Sequence, residues 1–308
     1  GSHFDHHHIE LVYNGVPATR VTLRQRNSAR KMLIDYTDKL LGYRPDVLMT
    51  HVTRPVISKG MWRDVQVCHE LDRRFKVDGT TGVLYILTTG GGVRRPQDVR
   101  QMEQEYGWPG DHRHGYPDLV GPEIGLWEMI EPFNRDHQHI KIVLVNQFGW
   151  STERIGRRLD PKMHMGHFRW ATDVEFGMAT YEPFGISPLE PLASGAICMI
   201  STVCGCEGFV EYVTDGRGVD NVLVADYTRL ERQHTLEQLL EMSAEQRNII
   251  ERAEAARLAD ALIERVPRDN DGRKALIEAG QRLVARMGWD QVVEQKLVPV
   301  LERITNGK

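Results

Sequence analysis

Two acidic side chains, Glu182 and Glu190, stand at either end of the run Glu182-Pro183-Phe184-Gly185-Ile186-Ser187-Pro188-Leu189-Glu190. Before it, Asp173 to Thr180 is short, apolar and broken at its end, which reads as a buried strand. Ser187 followed by Pro188 is a helix start, with a hydroxyl to cap free amides and a proline whose missing N–H costs nothing there. The two carboxylates therefore flank a strand-to-helix crevice, the place where open α/β sheets take ligands. The amides of Phe184, Gly185 and Ile186 lead into a helix N-terminus suited to an anion, phosphate above all. Glu190 also stands three residues after Ser187, so a capping box is its structural alternative.

A second loop supplies the opposite charge. Thr53-Arg54-Pro55-Val56-Ile57-Ser58-Lys59-Gly60 lies between a predicted strand, Val47–Val52, and a predicted helix, Met61–Phe75. Arg54 and Lys59 can converge above the sheet where a diphosphate would lie. A third loop, Asn146-Gln147-Phe148-Gly149, follows the predicted strand Ile140–Val145 and opens at the same end. Its amides and the Phe148 or Trp150 ring are candidates for a nucleotide base, with a simple turn as the alternative.

Glu182-Pro183-Phe184-Gly185 with Glu190 and the small pair Ser194-Gly195 resembles the E-x7-E signature of retaining GT-B glycosyltransferases, including glycogen and starch synthases. The resemblance runs from about residue 9 to the end. Asn14-Gly15-Val16 is similar to the segment that begins the second domain of those enzymes, and Met287-Gly288-Trp289-Asp290 resembles the run that leads into their last helix. Cys204-Gly205-Cys206-Glu207-Gly208 departs from the family, which carries a Gly-Gly pair there.

The resemblance implies hexosyl transfer of the family 4/5 kind, from a nucleotide-diphosphate sugar to a carbohydrate or other hydroxyl acceptor, with retention and with glucose the nearest guess. Arg54 and Lys59 would hold the diphosphate, Glu182 the sugar hydroxyls and Glu190 the ribose. Phe184, Gly185, Ile186, Asn146 and Phe148 would complete the donor site. The carboxylates are not read as the acid and nucleophile of a hydrolase. No metal or cofactor is expected beyond the donor substrate. The first, acceptor-binding domain is expected to be missing from this chain, which leaves its activity alone open. A non-catalytic nucleotide-sugar-binding module and a GT-B-like sugar epimerase are the alternatives.

The rest of the chain must position these loops. Strands are predicted over Val47–Val52, Val83–Thr89, Ile140–Val145, Ala196–Ser201 and Asn221–Asp226, besides the stretch 173–180 and a short strand at Ile9–Pro17. Helical spacing joins them, at 18–41, Met61–Phe75 with Val65, Cys68, His69 and Leu71 inward, Pro96–Tyr106, Glu123–Phe133 and His164–Thr172. Strand and helix alternating in this way give a Rossmann-like, doubly wound parallel α/β sheet. The basic face of the 18–41 helix reads as solvated, Gly90-Gly91-Gly92 as a flexible turn, 202–208 as a turn, and His112, His114, His137 and His139 as solvated side chains. We divide the chain into a tag or linker at 1–8, a nucleotide-sugar-binding domain at 9–232 with an insertion at 93–139, and a helical C-terminal tail at 233–308.

With 308 residues, 41% hydrophobic and 27% charged, the composition is that of a globular protein with ample core. A net charge of −4 argues against a general nucleic-acid binder. No apolar run is long enough for a membrane span, and four cysteines are too few for a disulfide scaffold, so a cytoplasmic setting with reduced thiols is expected.

Overall fold

The computed structural model describes residues 10–230 and 234–305. Six parallel strands form one sheet: β1 (Val47–Val52), β2 (Gly82–Leu87), β3 (Ile140–Val145), β4 (Val174–Glu175), β5 (Ile197–Ser201) and β6 (Val222–Ala225). Their spatial order is β3-β2-β1-β4-β5-β6. Val47 pairs with Gly82, Gly82 with Ile140, and Met49 with Val174. The order reverses between β1 and β4, so the connections leave these neighbours in opposite directions and open a crevice at their carboxyl ends.

Almost every strand residue is buried, as expected when helices cover both faces of a parallel sheet. The period of two then sorts the side chains. Met49, Leu84, Ile86, Ile142 and Leu144 enter one core, with Val67, Leu71 and Phe75 of α2 (Met61–Asp78). Leu48, Val83, Tyr85, Val143 and Val145 enter the other, with Ala29, Leu33 and Tyr36 of α1 (Leu23–Leu41). Burying one such aliphatic side chain contributes about 1.5–3 kcal/mol.

Between β2 and β3 the chain carries α3 (Pro96–Tyr106) and α4 (Pro122–Asp136). Short α5 (Thr152–Ile155) and α6 (Met165–Ala171) precede β4, and α7 (Gly205–Thr214) joins β5 to β6. Beyond β6 come α8 (Leu236–Leu240), α9 (Ala244–Arg265) and α10 (Asn270–Met287). Helical turns then run from Trp289–Val292 through a π-helical turn, Val293–Leu297, to Val298–Thr305. This C-terminal region is built into the sheet's own cores: Leu258 and Leu262 of α9 pack with Leu71, and Leu283 and Val284 of α10 with Cys198 and Ile200. The 232/233 boundary and the tag or linker at 1–8 fall outside the described residues.

Several expectations are corrected. The stretch 173–180 is a strand only at Val174–Glu175: the Phe176 amide still reaches Thr50 O of β1 at 2.8 Å, but from Met178 onward the backbone bonds to α2 and the loop before it. Arg63 Nη1 donates to the carbonyls of Met178 and Ala179 at 3.1 and 3.2 Å, and the Thr180 amide donates to Ser58 O at 2.8 Å. The segment Ile9–Pro17 forms no strand over its described residues. Its Val16 makes a single bridge to Gly288, with the Val16 amide on Met287 O at 2.9 Å.

The basic face of α1 is not simply solvated. Arg26 and Arg30 are buried and both pair with Asp173 at the foot of β4, which also accepts from the Leu48 amide at 3.0 Å. Charge thus replaces apolar packing where α1 crosses the switch point. His69 is exposed on α2 and meets His137 at 2.7 Å, and His112 is buried, bonded to Asp118 and to Leu144 O. The turn expected at 202–208 ends early, since α7 begins at Gly205.

Candidate nucleotide-sugar site

The two charged loops meet at the carboxyl ends of β1 and β4. Lys59 closes a 3-10 turn, Ile57–Lys59, and Gly60 follows with φ 65°. A Cβ on Gly60 would press on Met178 O at 2.7 Å, so a glycine lets the two loops touch. Ser58 O accepts from the Thr180 amide, and Ser187 Oγ donates to Val52 O at 2.7 Å. Stitched in this way, Lys59 Nζ forms a direct ion pair with the Glu182 carboxylate, each side chain 17% exposed. Burial first, and Arg54 second, lower the Lys59 pKa.

A cavity of about 200 Å³ lies over this pair, lined by His51, Lys59, Glu182, Phe184, Gly185 and Ser187 among others. A second, of about 340 Å³, shares Lys59 and Ser187 with it and reaches Arg54, Phe148 and Met165. Arg54, Lys59, Glu182, Phe184, Gly185, Ile186 and Phe148 therefore all line one crevice. Phe184 and Phe148 present half-exposed rings, 58% and 51%. Among the described residues, the amides of Phe184, Gly185 and Ile186 donate to no protein acceptor.

Glu190 is not part of that lining. Its carboxylate pairs with Arg169 at 3.2 Å, and Arg169 also donates to Ser187 O and pairs with Glu175 at 2.8 Å. The capping-box alternative fails as well. Ser187 is the first residue of a 3-10 helix, Ser187–Ser194, no side chain caps that helix, and the Ser187 hydroxyl is spent on Val52 O. The Glu190 side chain keeps 39% of its surface open to solvent beside the crevice.

Asn146 requires correction. Its side chain is fully buried, taking the Trp108 indole N–H at 2.9 Å and donating to Asp118 and Glu123, so nothing remains for a ligand. The same network explains the three glycines. Glu123 Oε1 accepts from the Gly90 and Gly91 amides at 2.7 and 3.1 Å, and Arg94 pairs with its Oε2. The loop is thus a fixed turn closed on an internal carboxylate, which fills the place an anionic ligand would take.

Sequence reasoning missed His51, Asp64 and Glu175. His51, the penultimate residue of β1, lines the smaller cavity, and its Nδ1 lies 2.5 Å from Asp64 Oδ2 of α2. Burial disfavours the imidazolium, yet the charge and hydrogen bond of Asp64 outweigh it and the His51 pKa is raised; burial raises that of Asp64. Glu175 is buried and takes the Thr50 hydroxyl, the Val52 amide and Arg169; burial raises its pKa. Only the strand-end position of His51 could have flagged it, since its partner lies on the following helix.

No protein-family model matches the chain, and no curated protein matches it. Solved structures do share its architecture. An alpha,alpha-trehalose-phosphate synthase (UDP-forming) from Burkholderia vietnamiensis superimposes with a TM-score of 0.50 at 13% identity, over 96% of this chain and 52% of its own. The N-terminal domain of a Candida albicans trehalose-6-phosphate phosphatase gives 0.52 at 11% identity, over 94% and 49%. The fold they share with this chain is a Rossmann-like parallel α/β sheet with flanking helices. The chain spans about half the length of each of these two neighbours. No helix among the described residues is long and apolar enough to cross a membrane.

Proposed function

We propose that this chain binds a nucleotide-diphosphate sugar in the switch-point crevice and takes part in retaining transfer of its sugar, glucose as the nearest guess, to a hydroxyl acceptor. The observation that carries the reading is the contact of Lys59 with Glu182, from loops far apart in sequence, in a crevice that Arg54 also lines. A cation pair beside an acceptor carboxylate matches a diphosphate joined to a polyol.

As the glycosidic bond breaks, negative charge grows on the diphosphate. Lys59 turns from Glu182 to that leaving group, Arg54 joins it, and the free amides at Phe184–Ile186 supply further donors. Losing one such donor costs about 2.7–4 kcal/mol in a barrier. Glu182, released, accepts from sugar hydroxyls and fixes the ring. The departing phosphate oxygen takes the acceptor proton on the same face, which gives retention without a protein nucleophile. Phe148 stacks on the base, and Glu190, oriented by Arg169, takes the ribose hydroxyls. In this reading the acceptor is presented by a second, facing domain.

Titration with the UDP-, ADP- and GDP-conjugates of glucose tests the proposal. One of them is expected to bind clearly more tightly than the others, and release of the free nucleotide on adding a hydroxyl acceptor would separate transfer from binding alone. Failure of all three to bind refutes the donor site.

A further inference from the structure

The departure at Cys204-Gly205-Cys206 sits directly beneath the donor loop. Cys204 stands at the N-cap position of α7 and Cys206 lies in its first turn; they are 3% and 4% exposed. Both line a cavity of about 400 Å³ on the far side of Pro183 and Phe184, a route for a small reagent. The two side chains gather at one point, Cys206 Sγ 3.0 Å and Cys204 Cβ 3.7 Å from a Cβ built on Gly185, and Cys204 Sγ lies 3.4 Å from Ser201 Oγ and 3.6 Å from Gly177 O.

The coupling to the loop is backbone to backbone. Glu182 and Cys204 form a parallel bridge, and the Gly205 amide donates to Glu182 O at 2.9 Å. A Cβ added to Gly185 would stand 3.0 Å from Cys206 Sγ. A Cβ on Gly205 would overlap the Pro183 carbonyl, so the residue between the thiols is also the one on which the loop rests. The two sulfurs differ in reactivity. The neighbouring Cys206 thiol is the main cause that brings the Cys204 pKa down to about 6, and Cys204, with burial, drives Cys206 up. Cys198 is buried in the same apolar cluster as the pair and Cys68 in another, and burial raises both.

We propose that Cys204 and Cys206 form a reversible redox-modification site, closed to a disulfide by exchange with a small disulfide such as oxidised glutathione, and that closure displaces the loop bearing Glu182. The Cys204 thiolate attacks one sulfur of the small disulfide, giving a mixed disulfide and one released thiolate. Cys206 then loses its proton and attacks Cys204 Sγ, expelling the second small thiol. Two protein thiols are oxidised, and one disulfide is reduced to two thiols. Closure needs the two Cβ atoms about 3.8 Å apart, which draws in the turn at Gly205 and pulls its amide from Glu182 O.

The effect on donor binding rests on the function proposed above; the thiol chemistry does not. The described chain is treated with oxidised glutathione, then mapped by intact and peptide mass and by hydrogen exchange. A mass loss of two hydrogens, located at Cys204 and Cys206 and reversed by a thiol reductant, is expected. Cys206→Ser should retain glutathione on Cys204, and Cys204→Ser should not react. The Gly205 amide, bonded to Glu182 O in the reduced form, should exchange faster in the oxidised form, and nucleotide-sugar affinity should fall about five- to tenfold, the factor for one lost hydrogen bond. No bond, or one involving Cys68 or Cys198, overturns the site. A Cys204–Cys206 bond with unchanged exchange at Gly205 overturns the coupling. If the reduced protein binds no nucleotide sugar, the donor reading falls while mass and exchange still decide this inference.

Discussion

Glu182→Gln should move the affinities of two related ligands in opposite directions. The carboxylate holds Lys59 in an ion pair, each partner 17% exposed. A diphosphate that takes over Lys59 comes within about 6 Å of that carboxylate, a repulsion of about 3 kcal/mol at an effective dielectric of about 20. Solvent access and salt reduce it to roughly 1 kcal/mol. Removing the charge should therefore tighten the bare nucleoside diphosphate about fivefold. The sugar conjugate loses an acceptor for its hydroxyls by the same change, at a cost of roughly 1.5–3 kcal/mol, and should bind more weakly. Lys59→Ala should weaken both ligands about 10- to 100-fold, the value of one charge-assisted contact. Calorimetric titration of each variant with the diphosphate and its glucose conjugate, at low and at raised salt, reads all of these. Equal weakening of both ligands by Glu182→Gln, or no effect of Lys59→Ala, refutes the assigned roles.

Two further outcomes follow from the packing beneath the crevice. Asp173→Ala leaves Arg26 and Arg30 buried without a counter-charge and should cost about 3–5 kcal/mol in denaturant unfolding; burial already brings the Arg26 pKa down to about 10. For Asp173, burial opposes ionisation, but Arg30 and Arg26 outweigh it and hold the folded pKa below the unfolded value. The stabilisation is therefore complete above about pH 4 and lost as pH falls through the depressed value, so the wild type should lose stability in acid more steeply than Asp173→Ala. Gly205→Ala places a methyl group on the Pro183 carbonyl and should cost about 1–3 kcal/mol while weakening the donor, with circular dichroism unchanged. Unaltered donor affinity in that variant would detach the Glu182 loop from α7.

The sheet was legible because its signal is local. Val47–Val52, Gly82–Leu87 and Ile140–Val145 are rich in Val, Ile and Leu, as parallel strands buried on both faces tend to be. What was not legible are the places where a side chain from elsewhere decides the local structure. Strand β4 is not continued to Thr180 because Arg63 and Ser58 take the backbone groups of Met178, Ala179 and Thr180. The glycines 90–92 are rigid because Glu123, on a later helix, supplies the anion their amides bind. Arg26 and Arg30 carry nothing in their own neighbourhood to show that Asp173 waits for them.

The candidate site divides along the same line. Residue types in a strand-end loop could be read one loop at a time, so Arg54, Lys59, Glu182, Phe184 and Phe148 were found and do face one crevice. Asn146 belongs to an equally suitable loop, yet its amide turns inward because Asp118, Glu123 and Trp108 offer it a full set of partners. Which way a loop side chain points depends on competitors that periodicity does not reveal. The meeting of Lys59 with Glu182 follows from topology: with β4 set beside β1, the loops leaving these two strands open on the same end of the sheet. A chain order that placed β4 at the edge would hold every motif residue and no crevice. The pairing of Met49 with Val174 is thus the contact on which both the fold and the chemistry depend.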